Sequence, residues 1–96
     1  MREGNWTTDE MVLALEAYVM IRSGAPRQET IIALASELDR SVSATAAAVN
    51  ANGTADVDHG RGPKLIPTAR LLAEGLMGRP DEVRRLAQNI RALWAA

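Results

Sequence analysis

The sequence predicts an all-α fold, a single domain of five helices. Apolar residues recur at helical spacing in five separate stretches, and residues suited to helix starts and stops bound those stretches. No run alternates apolar and polar as a half-buried strand would. The chain of 96 residues suits one core that buries roughly 60 to 65 per cent of the unfolded surface. Hydrophobic residues make up 47%, and 17 of them are alanine, so the helices should approach one another closely.

The first helix starts after Thr7, because Thr7-Thr8-Asp9-Glu10 spells a capping box in which Glu10 reaches back to the cap residue. Met11, Val12, Leu15, Tyr18, Val19 and Arg22 then share one stripe, and Trp6 precedes the cap as a hydrophobic staple. Gly24 ends this helix, and Pro26 suits the first residue of the next. In the second helix Ile31, Leu34, Ala35 and Leu38 match the i, i+3, i+4, i+7 pattern, and Asp39-Arg40 ends it. Ser41 caps a third helix through Val42, Ala44, Thr45, Ala48 and Val49 to about Ala51, closed by Asn52-Gly53. Residues 53–66 read as a turn-rich surface loop. A fourth helix from Pro67 carries Leu71, Leu72, Leu76 and Met77. A fifth, opened by Pro80-Asp81-Glu82, carries Val83, Leu86, Ala87, Ile90, Leu93 and Trp94. One core is expected to join Trp6, Leu15, Tyr18, Ile31, Leu34, Leu38 and Val49. The domain thus divides into a unit at 6–52, the loop, and a helical pair at 67–96.

The net charge of -1 does not mark a nucleic-acid or membrane binder. It conceals an asymmetry: residues 1–60 hold four arginines against nine carboxylates, whereas 61–96 hold seven cations against three. The absence of cysteine removes disulfide scaffolds, thiol catalysis and cysteine zinc sites, and suits the cytoplasm. No apolar run is long enough to span a membrane, and no secretory leader is visible. Asp56, Asp58 and His59 are metal-ligand types but lack the spacing of a zinc site, so neither metal nor cofactor is expected. No Ser-His-Asp arrangement and no phosphate-binding glycine loop after a strand can be drawn, which leaves no basis for an enzyme.

The second and third helices, joined by a short turn and preceded by a longer helix, have the lengths of a helix-turn-helix within a three-helix unit. Trp6-Thr7-Thr8-Asp9-Glu10, followed by Leu13-Ala14-Leu15 and Tyr18, resembles the opening of Myb-like modules at the front of bacterial HNH-type restriction endonucleases. Ile31-Ile32-x-Leu34-Ala35-x-x-Leu38-x-Arg40-Ser41 continues the resemblance, as do Asn50-Ala51-Asn52, Asp56-Val57-Asp58 and Gly60-Arg61-Gly62. It covers about residues 6–62 and is looser beyond. It implies a DNA-recognition role without catalysis, because His59 is the single histidine and the nuclease's His-Asn-His centre cannot be built. The third helix departs from the Myb-like pattern in having no Lys or Arg.

On this reading Ser43 and Asn50 would contact bases, with Asn able to take adenine bidentately. Arg40, Arg61, Lys64, Arg84, Arg85 and Arg91 would contact phosphates. Five such contacts would give a slope of log K against log salt of about -4.5. The same residues also admit plainer readings, with alanines as helix packing and arginines as a solvated face. The expected partner is double-stranded DNA, bound weakly by a regulator or a phage or mobile-element accessory. The alternative is a protein-interaction module or inhibitor that engages a host or restriction-system protein. Leu93 and Trp94 add a homodimer contact as a further expectation.

Overall fold

Thr7 opens α1 (Thr8–Arg22) through the capping box: its side chain accepts from the Glu10 amide at 3.2 Å, and its own amide donates to Glu10 Oε1 at 3.0 Å. The structure, a computed structural model, describes residues 4–55 and 66–96. At the other end of α1 the Ala25 amide donates to Met20 and the Gly24 amide to Ile21. This six-to-one and five-to-two pair needs a left-handed residue, and Gly24 supplies it at φ 111. A methyl group at Gly24 would meet nothing within 4 Å, so Gly24→Ala isolates the backbone cost. It is expected to destabilise the fold by about 1–2 kcal/mol, read as a lowered denaturation midpoint with an unchanged slope.

Pro26 stands just before α2 (Arg27–Leu38) as its cap rather than as its first residue. The helix ends as α1 does. The Arg40 amide donates to Ala35 and the Asp39 amide to Ser36, with Asp39 left-handed at φ 54. Ser41 then caps α3 (Val42–Ala51), its hydroxyl accepting from the Ala44 amide at 3.1 Å. The buried Asn52 side chain closes α3 by donating to Ala48 O and Val49 O at 3.3 and 3.2 Å. A 3-10 turn, Asn52–Thr54, follows where the sequence suggested the loop to begin. Prolines stand at the starts of α4 (Pro67–Leu76) and α5 (Pro80–Ala95), and α5 adds Asp81 and Glu82 in its first turn.

The five helices form one body with a radius of gyration of 12.2 Å, against about 12.5 Å expected of a compact chain this long. There is no strand among the described residues, and no helix is long and apolar enough to cross a membrane. α1 is the central element, touched by all four of the other helices. It therefore buries Leu13, Ala14 and Ala17 in addition to Val12, Leu15 and Tyr18, more than a single amphipathic stripe would carry. Tyr18, Ile31, Leu34, Leu38 and Val49 share a core with Leu13, Ala87 and Ile90, while Trp6 is half-buried at its edge. Leu15 departs from the expected grouping. It packs with Ala73 and Val83 in a second cluster that joins α1 to α4 and α5. Leu71 and Leu93, apolar positions of the expected fourth and fifth helices, are each 73% exposed, and Trp94 is exposed as well.

Candidate functional site

The junction between α2 and α3 is the most highly organised polar feature of the molecule. Arg40, which the sequence placed on the surface of the turn, is 5% exposed, and its partner Glu10 is fully buried. The guanidinium takes Glu10 in a fork, Nε to Oε2 at 2.7 Å and Nη2 to Oε1 at 2.9 Å. Its remaining donors reach back to the chain before α1, Nη1 to Gly4 O and Nη2 to Asn5 O, both at 3.1 Å. The Trp6 ring lies 4.6 Å from the guanidinium carbon. Glu10 thus completes the capping box and neutralises Arg40 at once. The hydrogen bonds that Arg40 donates to Glu10 raise its pKa above the ordinary value, against burial, which lowers it. In this arrangement the guanidinium spends its donors inside the chain rather than on the surface of the turn.

Other expected contacts are also engaged within the fold. Arg91 is half-buried between α1 and α2, with Nε at 2.7 Å from Glu37 Oε2 and Nη1 at 2.9 Å from Glu16 Oε1. The Glu37 hydrogen bond, opposed by burial and joined by Glu16, raises its pKa. It crosses a groove of about 290 Å³ also lined by Glu29, so a carboxylate-rich surface surrounds it. Arg85 is hydrogen-bonded to Glu82 one turn back on α5, which raises the Arg85 pKa and lowers that of Glu82. Arg84 lies 3.9 Å from Asp81. Both of these arginines are exposed and could exchange such pairs for a ligand at little cost. Arg61 and Lys64 lie outside the described residues, as do Asp56, Asp58 and His59. Among the described residues, no three His, Cys, Asp or Glu side chains come together to hold a metal.

Ser43 is exposed on the first turn of α3. Asn50, on the last turn, accepts a hydrogen bond at Oδ1 from Arg27 of α2. Arg27 is exposed and brings a cation beside a helix that has none of its own. No local signal announces this pair, because residues 27 and 50 meet only when α2 packs on α3. Among the described residues, the expected contacts are spread over several helices. Ser43, Asn50 and Arg27 border α3, Arg84 and Arg85 belong to α5, and Arg40 and Arg91 are bound inside and beneath.

A cleft of about 480 Å³ runs beside α3. Its floor is Ala44, Ala47, Ala48 and Ala51, an i, i+3, i+4, i+7 row of methyl groups. Met11 and Ala14 of α1, the segment Gly4-Asn5-Trp6, Asn52, and Ile66 and Ala69 around the start of α4 form the remaining walls. None of these residues is charged. The row was legible in the sequence as helix packing, and Ala48 and Ala51 are partly or fully buried, but Ala44 and Ala47 are exposed. Comparison with protein-family models, with curated proteins and with solved structures found no match.

Proposed function

We propose that this chain is a small recognition module, without a catalytic centre of its own, that binds a protein partner through the cleft beside α3. The observation that carries this reading is that the described residues lining the cleft carry no charge, next to an α3 that has no cation. A surface that follows a phosphate backbone needs unpaired Lys or Arg at its edges, whereas an uncharged concave surface bordered by an indole suits an apolar segment of a protein. The partner best matched to a row of alanine methyl groups is an amphipathic helix laid into the cleft by its apolar side. Such a partner agrees with an inhibitor or adaptor of a host or restriction-system protein.

Duplex DNA is the second reading, and one observation favours it. The turn Asp39-Arg40-Ser41 is short and carries a left-handed residue, as the turn of a helix-turn-helix does, and it presents Ser43 at the exposed start of the next helix. With Arg40 enclosed, the cations left beside α3 are Arg27 and, from the sequence alone, Arg61 and Lys64. Three contacts lower the expected salt slope from about -4.5 to about -2.7.

One experiment separates the two. A photo-crosslinking residue at Ala47, in cells that make the protein, should yield an adduct that resists nuclease and is removed by protease. Ala44→Glu, which puts a carboxylate on the cleft floor, should abolish it. An adduct that nuclease removes, together with saturable binding of random duplex DNA that weakens with salt, would replace the protein reading with the DNA reading.

A further inference from the structure

We infer that the segment Gly4-Asn5-Trp6 is a movable strap, latched by Arg40, whose release opens the cleft beside α3. The inference rests on the cleft as the binding site, and it adds how access to that site is controlled. Three contacts of the strap converge on one side chain: the carbonyls of Gly4 and Asn5 accept from Nη1 and Nη2 of Arg40, and the Trp6 ring covers the guanidinium carbon. The same three residues form one wall of the cleft.

The two halves of the Arg40 environment differ in what water can replace. The Glu10 carboxylate is fully buried and paired through Nε and Nη2. Breaking that pair would strand a charge in the interior. The strap carbonyls belong to exposed residues, so on leaving they exchange a guanidinium for water, a smaller loss than stranding a buried carboxylate. Trp6 is half-buried and gives up only part of its apolar contact. The strap can therefore leave while Glu10 and Arg40 stay joined and α1 keeps its cap, which makes it a local opening separate from global unfolding. A partner longer than the closed cleft would displace the strap and take its place over α3.

The test uses the full chain with Trp94→Phe, so that Trp6 is the single indole. Acrylamide quenching of Trp6 and helical circular dichroism are followed together as temperature rises. Quenching is expected to increase, with a red shift in emission, at temperatures where the helical signal is still intact. Adding Arg40→Lys, which keeps a charge for Glu10 but loses the fork to the two carbonyls, should move the quenching transition to lower temperature while leaving the cold helical signal unchanged. Quenching that rises only together with helix loss, or that the lysine leaves unaltered, would overturn the inference. Should the Arg40→Lys protein fail to fold, the two curves of the Trp94→Phe protein decide alone. Because the readout lies within the chain, it can fail without touching the crosslink at Ala47, and the crosslink can fail without touching it.

Discussion

Arg40→Ala is expected to destabilise the protein by about 3–5 kcal/mol, because it leaves the Glu10 carboxylate buried without its partner. In a chain of this size that corresponds to a fall in melting temperature on the order of 20 °C. The loss has two origins that a second variant separates. In Glu10→Gln/Arg40→Met no charge is left inside, and glutamine at the third helical position can still close the capping box. The double variant should therefore recover most of the stability lost in Arg40→Ala, while the two strap carbonyls lose their donors in both. Thermal melts of the two proteins followed by circular dichroism check this. A single variant within about 1 kcal/mol of the parent would show that the pair is far better solvated than its 3% and 0% side-chain exposure implies.

Leu15→Ala is expected to cost about 2–5 kcal/mol, since the side chain is almost fully enclosed and alanine would leave a cavity. Its position makes it informative beyond its size. Leu15 is the α1 member of the cluster with Ala73 of α4 and Val83 of α5, so the substitution loosens the C-terminal pair directly. If the five helices form one cooperative body, the variant unfolds in a single transition at lower denaturant with an unchanged slope. Two separate transitions, or an unchanged midpoint, would show that α4 and α5 are a dispensable addition to the first three helices.

The helix boundaries were legible because their signals are local. Thr7 with Glu10, Gly24, Ser41, and the prolines at 67 and 80 act through backbone groups within a few residues of themselves. Asp39 was legible only in part. That the chain turns there follows from Asp39-Arg40, but an aspartate in the left-handed region is less readily foreseen than a glycine. The candidate site was legible much less. The alanine row on α3 is plain in the sequence, yet whether such a row is covered or open depends on the helices around it, and here Ala44 and Ala47 are open.

The arginines show the same division most sharply. Composition revealed ten of them and the excess of positive charge after residue 60, but not which carboxylate each would meet. Arg40 and Glu10 are 30 residues apart, and Arg91 and Glu37 are 54 apart. No periodicity connects such positions. Local chemistry settled where each helix begins and ends, because capping and left-handed termini involve neighbours along the chain. Tertiary packing decided that α1 is enclosed by the other four helices, that Arg40 is an interior latch rather than a surface cation, and that the described lining of the cleft beside α3 is uncharged. Burial and long-range ion pairing depend on which elements meet in space, and that is a property of the whole fold.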